Sequence, residues 1–241
     1  MNLTDILKGA FGAYRRHPRG LFLVAAPAVV VTPAWTLVSS LFEDFWVVVV
    51  VILPVAFWVV CGVPAAALVR AGADTLGGTP PHFWRSYAAV VSRLGPLMLA
   101  ALRFWVIFQA LSIIVVGTPL AFYLLIRWLF FQQAIMLEDA RAGEALKRSG
   151  DVVTGSWWRV FGIMLVIMIV SAGPTFFVSF VLFPGPPGGF DGLGLLSPPA
   201  AVSIAVTSVI GTLMLPFAVS AETILFLDLR ARHGRAAAAA T

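Results

Sequence analysis

A single cysteine, Cys61, stands in 241 residues, so the chain holds no internal disulfide and no CxxC pair, which excludes disulfide-exchange chemistry by this chain alone. Charge is also scarce. Asp, Glu, Lys and Arg make up 11% of the chain and hydrophobic residues 60%, whereas an average soluble domain is about 25% charged. A soluble core of this size could not hide so much apolar surface, and the length leaves no room for a separate water-soluble catalytic domain. Lysine is nearly missing: Lys8 and Lys147 are the only two among 16 cations. The arginine bias, with abundant Ala, Gly and Pro, points to a GC-rich bacterial genome. The common chemical signatures are missing too: no GxxxxGK[ST] phosphate loop, no HExxH, no GxSxG and no EF-hand loop. The N-terminal stretch has no continuous apolar h-region of a signal peptide and is expected to be retained.

What is present is apolar sequence in runs long enough to cross a hydrocarbon layer about 30 Å thick. Six candidate spans read as about Gly20 to Leu41, Phe45 to Val69, Leu94 to Val116, Pro119 to Leu137, Trp157 to Phe183 and Pro199 to Leu227. Pro27, Pro33, Pro54, Pro64, Pro174 and Pro216 fall inside them, where kinks are expected because neighbouring helices re-satisfy freed backbone groups. No segment alternates as a barrel strand does, so the expected fold class is all-α, a polytopic membrane protein.

Charge placement sets the orientation. The segments around Lys8 to Arg19, Arg70 to Arg93, Arg141 to Arg159 and Arg230 to Arg235 hold every cation except Arg103 and Arg127. The alternate connections hold only Glu43 and Asp44, the Gly117-Thr118 turn, and the Gly/Pro-rich stretch Pro184 to Pro198 with Asp191. Both termini are therefore expected in the cytoplasm of a bacterial cell, with the spans in its inner membrane. In this setting the basic excess is a topology signal, and no nucleic-acid partner is implied.

Three of the inner segments read as amphipathic interfacial helices. In the first, Leu3, Ile6, Leu7, Ala10, Phe11 and Tyr14 form a stripe. In the second, Phe83, Trp84, Tyr87, Ala88 and Val91 oppose Arg85 and Arg93. In the third, Ala142, Ala145, Leu146, Ser149 and Val153 oppose Arg141, Glu144, Lys147, Arg148 and Asp151. Each precedes two spans, which suggests three units of interfacial helix plus hairpin; positive-inside bias alone would give the same charges, and the aromatic faces favour the repeat. The expected organisation is an interfacial helix over 1–19, a six-span domain over 20–228 and a disordered cytoplasmic tail over 229–241.

His17, His82 and His233 lie near basic clusters without an adjacent buried carboxylate or Cys, as solvated surface histidines do, and no metal or cofactor is implied. The stretch GPPGGFDGLG over 185–194 lacks the lysine of a phosphate loop and reads as a hairpin connection. Trp84, Trp157, Trp158, Phe45 and Trp46 fall at span boundaries, where aromatic rings anchor helices at headgroup depth.

The segment EDARAGEALKRSGDVVTGSWWRVFG over 138–162 carries a resemblance. Arg127-Trp128 in the preceding span, Glu138, Ala145-Leu146-Lys147-Arg148-Ser149, the run from Gly155 to Arg159 and the closing Asp228-Leu229-Arg230-Ala231-Arg232 together resemble the membrane domain that accompanies glycerophosphoryl diester phosphodiesterases, and related six-span bacterial proteins. The chain departs from that pattern at Gly150, Thr154 and Phe226-Leu227, and it lacks the catalytic domain with its His-Arg and Glu/Asp motifs. The resemblance thus implies a membrane part and not an activity.

Two sets of residues are candidates for function. Lys147, Arg148 and Arg159 form an inner-leaflet surface, where anionic lipids attract each cation by about 1 kcal/mol. Arg103, Arg127 and Glu222 are the charges well inside spans. At 1.5 Å per residue both arginines lie about 15 Å deep and Glu222 about 9 Å, so Glu222 is expected to pair with one arginine and leave the other for an anionic group such as phosphate. Ala100, Ala110, Ala134 and Ala218 would permit close approach of the helices. The leading expectation is a non-enzymatic scaffold or accessory subunit that organises membrane lipids or a partner protein. The alternatives are a small carrier for a phosphate-bearing or amphiphilic solute and, behind it, an intramembrane enzyme.

Overall fold

The computed structural model describes residues 1–40, 53–113, 117–182 and 198–239. Glu43, Asp44, Phe45, Trp46, Asp191 and the 185–194 stretch lie outside the described residues. Within them every regular element is a helix: α1 (Leu3–Arg16), α2 (Pro18–Ala25), α3 (Pro27–Ser40), α4 (Leu53–Leu76), α5 (Phe83–Val91), α6 (Leu94–Ile113), α7 (Thr118–Arg127), α8 (Phe131–Glu138), α9 (Ala142–Val153), α10 (Trp157–Leu182) and α11 (Pro198–Ala239).

Among the described residues four helical stretches are long and apolar enough to cross a membrane: Leu94–Ser112, Thr118–Glu138, Trp157–Val181 and Val202–Arg235. The first two expected spans are not among them. The first is divided at Pro27, whose ring removes a backbone donor, into α2 and α3. The second begins in residues outside those described. Its described part, α4, runs past Val69 to Leu76, carrying an Arg70–Asp74 ion pair at 3.3 Å, and closes where Gly78 takes φ +82° and Thr79 N–H donates to the Asp74 carbonyl at 2.9 Å.

The fourth expected span is not one continuous helix. Its hydrogen-bond ladder breaks over Trp128-Leu129-Phe130, between α7 and α8. The segment 229–241, expected to be disordered, instead continues α11 as helix through Ala239. The alanine run there has the highest helix propensity of any residue type and extends a helix already nucleated in the bundle.

The three expected amphipathic helices each bury one face. In α1 the buried positions are Ile6, Ala10 and Ala13, with α11 as main neighbour, while Phe11 is exposed beneath the Arg15 guanidinium. In α5 the packed face is rotated from the expected one. Phe83, Ser86, Tyr87 and Val90, at i, i+3, i+4 and i+7, face inward, and Trp84 and Val91 stand exposed. The Tyr87 hydroxyl reaches across to donate to the Val24 carbonyl at 2.9 Å. In α9 all five expected positions are buried, together with Gly150 and Val152. The core lies where α4, α6, α8, α9 and α11 converge, around Leu68, Ile135, Met136 and the Phe130 and Phe226 rings, whose centroids are 5.9 Å apart.

Candidate functional site

The region with the most polar structure surrounds α9, which packs against α6, α7, α8 and α11. The approach to α9 is a sharp turn. Asp139 takes the left-handed conformation at φ 55°, which an Asp tolerates better than most residues, and Ala140 N–H donates back to the Ala134 carbonyl at 3.4 Å. Arg93, at the start of α6, pairs with the Asp139 carboxylate and ties the turn to that helix. The chain then enters α9, with Glu144 capping the Arg141 N–H at 3.3 Å.

Ser149 occupies the gap in the broken helix. Its hydroxyl donates to the Arg127 carbonyl at 2.9 Å and accepts from the Phe130 N–H at 3.0 Å. Both backbone groups lost their ladder partners at the break, and an unsatisfied buried backbone group costs about 1 to 3 kcal/mol. One hydroxyl from α9 therefore closes the break between α7 and α8. Gly150, the next residue, is buried against the side chain emerging from that break: a Cβ added there would lie 2.8 Å from Arg127 Nε. The Arg127 Nη1 donates to the Tyr123 hydroxyl at 3.3 Å, and the Tyr123 ring stacks on Trp157.

Two carboxylates gather four arginines and the Met1 amino group. Glu138, at the end of α8, accepts from Arg148 at 2.7 and 3.2 Å and pairs with Arg230 of α11 at 3.3 Å. The bond from Glu138 holds the Arg148 guanidinium above the ordinary arginine range. Asp228, buried in α11, pairs with Arg159 of α10 at 3.1 Å, with Arg232 at 3.0 Å and with the Met1 amino group at 3.1 Å. Arg159 also donates to the Met1 carbonyl at 2.6 Å. These two hubs join α1, α8, α9, α10 and α11 at one end of the bundle.

The expected sets divide differently from the sequence reading. Of the inner surface set, Arg148 and Arg159 are held in the hubs, and Lys147 is exposed and makes no ion pair among the described residues. The expected pairing of Glu222 with Arg103 or Arg127 is not made. Among the described residues no ion pair links them, and the half-buried Glu222 instead accepts from Gln133 Nε2 at 3.5 Å. The reason is rotational. Leu97, Ala100, Ala101, Phe104 and Trp105 turn the core face of α6 inward, and Arg103 is exposed on another face. Its Nη1 lies 3.2 Å from where a Cβ would stand on Gly143 of α9. Both arginines thus approach α9, not α11.

Ser149, Glu138 and Asp228 were residues of the resembling motif without an assigned role. Their signal was the conjunction of isolated polar groups with apolar neighbours, since a Ser or a carboxylate placed in such surroundings needs partners. A separate cavity of about 300 Å³ lies among α3, α4, α10 and α11, lined by Cys61, Thr175, Thr207, Ser208 and Thr212 among others.

No curated protein matches this chain, and no solved structure does. Residues 87–226, from α5 into α11, match a protein family described as Domain of unknown function (DUF7847). The match takes in Arg103, Arg127, Glu138, Ser149 and Glu222 and stops short of Asp228. It spans more than half of the sequence, and the chain belongs to the DUF7847 family.

Proposed function

We propose that the protein is a non-enzymatic, six-span component of the bacterial inner membrane, with both ends in the cytoplasm, that serves as a scaffold or accessory subunit for lipids or a partner protein. The observation that carries this reading is the division of labour on α9. One side of the helix is consumed in structure, through Ser149 at the helix break and Arg148 on Glu138, while Lys147 is left exposed, with no ion pair among the described residues. An active centre built on Glu138 or Asp228 would need a free acid, whereas each is held by two or more cations. The six-span topology is supported by the four long apolar helices and by the kinked α2–α3 pair, and α1, α5 and α9 fit interfacial positions because each buries only one face. Kinship with the membrane domain that accompanies glycerophosphoryl diester phosphodiesterases belongs to the same proposal and agrees with an accessory role.

A second reading, a small carrier, is favoured by one observation: the cavity beside Cys61, lined by the hydroxyl residues Thr175, Thr207, Ser208 and Thr212 and next to helices that carry Pro64 and Pro174 in their interiors. Reconstitution into proteoliposomes separates the two. The accessory reading expects no uptake or counterflow of glycerophosphodiesters or inorganic phosphate, and co-purification of a defined partner or lipid from native membranes. Saturable uptake abolished by Thr212→Val would replace it with the carrier.

A further inference from the structure

Three cations share one face of α9 without an acidic partner. Gly143, Lys147 and Gly150 stand at i, i+4 and i+7, so they lie above one another on that face. The missing side chains at the two glycines admit a guanidinium each, Arg103 from α6 at the first and Arg127 from α7 at the second. Seven residues place the two notches about 10 Å apart along the helix axis, with Lys147 between them. Among the described residues none of the three cations takes part in an ion pair. Glu144 and Asp151 stand three residues before and four residues after Lys147, about 60° and 40° round the helix from it; neither forms an ion pair with it among the described residues, and Glu144 is engaged with the Arg141 N–H.

The surroundings of this basic face are apolar and exposed. Along α6, Val106 and Ile107 lie one turn beyond Arg103, and along α7, Tyr123 and Leu120 lie one and two turns before Arg127. Each of these four residues is at least 39% exposed. In both helices these residues lead away from α9, so two apolar tracks begin at the cations. That combination, positive groups at the foot of two exposed apolar tracks, is complementary to a molecule with an anionic head and hydrocarbon chains.

We propose that Arg103, Lys147 and Arg127 form a binding site for the phosphate of an anionic phospholipid, whose acyl chains lie along α6 and α7. The inference deepens the accessory reading and rests on it for the placement of α9 at headgroup level. The guanidinium groups donate to the phosphodiester oxygens, with Lys147 as a third charge between them. The notches on α9 hold the arginines at the helix surface and keep them from the interior acid Glu222.

Native mass spectrometry of the full chain in detergent, titrated with phosphatidylglycerol, phosphatidylcholine or inorganic phosphate, tests the site. Phosphatidylglycerol is expected to bind in preference to phosphatidylcholine. Arg103→Gln and Arg127→Gln should each weaken it about tenfold, the loss of one charge-assisted hydrogen bond. Lys147→Gln should weaken it about threefold, and Lys8→Gln, an exchange on α1, should leave it unchanged. Because Lys147 is exposed, its variant carries the test if an arginine variant does not fold. Equal retention of both lipids, or phosphatidylglycerol affinity unchanged in all three variants, overturns the site. Saturable binding of inorganic phosphate that competes with the lipid replaces the headgroup by a free anion. Transport in proteoliposomes would remove the accessory reading and leave the arginine dependence of lipid affinity standing, so the two failures are distinct.

Discussion

The two faces of α9 carry the same kind of residue to opposite ends. On one, Arg148 is drawn onto Glu138 together with Arg230 from α11, and the charge disappears into a contact between helices. On the other, Lys147 stays exposed, and Arg103 and Arg127 reach the helix through glycine notches without meeting an acid. The difference teaches that in a chain with 11 acidic and 16 basic side chains, the placement of the few carboxylates decides which cations are architecture. Glu138 and Asp228 sit where three helices converge, and they absorb four arginines between them. What remains is free to meet a partner from outside the chain.

The sharpest way to break this comparison is to remove the acid from the structural face. Glu138→Gln keeps the shape but leaves Arg148 and Arg230 facing each other without a counter-charge. Breaking a fully buried pair costs about 3 to 5 kcal/mol. The two arginines are 38% and 49% exposed, so solvent screening reduces the expected loss to about 2 kcal/mol. Thermal unfolding in a mild detergent should show it, and an unchanged midpoint would mean that the hub is ornamental. Arg148→Gln in the same background should then add little, since the two residues act through one contact.

Next in size is the hydroxyl at the helix break. Ser149→Ala leaves the Phe130 N–H and the Arg127 carbonyl without their partner, in a position with no exposure. A loss of about 1 to 3 kcal/mol is expected. Hydrogen exchange should localise it: the Phe130 amide should lose protection ahead of amides in the middle of α10. Equal protection in both proteins would show that the break closes without Ser149.

Much smaller is the effect of neutralising the open face. Lys147→Gln should change stability by no more than about 0.5 kcal/mol, as for a surface exchange away from any special contact. Read by the same thermal unfolding as Glu138→Gln, a loss as large as that one would place Lys147 in the structure and end the contrast between the faces.

The sequence carried the helical class, the apolar runs and the buried side of α9, because each follows from local periodicity or hydropathy. It did not carry the break over Trp128 to Phe130. No proline or glycine marks those residues, and the groups that make the break tolerable come from Ser149, about twenty residues on. The packed face of α5 was misjudged for a related reason. Trp84 and Val91 are apolar enough to suit a buried stripe but also suit exposure at a lipid boundary, so polarity alone does not fix the rotation of a short helix. The same ambiguity misled the reading of Arg103. In a helix apolar on nearly every side, position along the axis can be counted from the ends but azimuth cannot, and Arg103 points away from Glu222, towards Gly143 of α9. Glu138 and Asp228 were visible as motif residues, yet their partners lie up to 227 positions away along the chain and only the packing reveals them.

The smallest expected effect comes from Gly150→Ala, where two terms oppose each other. Alanine gains about 1 kcal/mol over glycine in a helix interior. Its Cβ would stand 2.8 Å from Arg127 Nε and 3.4 Å from Cγ, too close unless the arginine swings away. Arginine has rotamers to spare, so the displacement costs a comparable amount, and the net change should be under about 0.5 kcal/mol. A null result alone would say little, and a second variant separates the terms. In an Arg127→Gln background the shorter side chain no longer fills the notch, and Gly150→Ala should then stabilise the protein by about 0.5 to 1 kcal/mol. Phosphatidylglycerol affinity should move the other way in the arginine-containing protein: Gly150→Ala should lower it although no charge is removed, because the guanidinium is pushed out of its seat. If Gly150→Ala stabilises equally in both backgrounds and lipid affinity stays constant, Arg127 does not depend on the notch, and the open face of α9 is simply a charged surface.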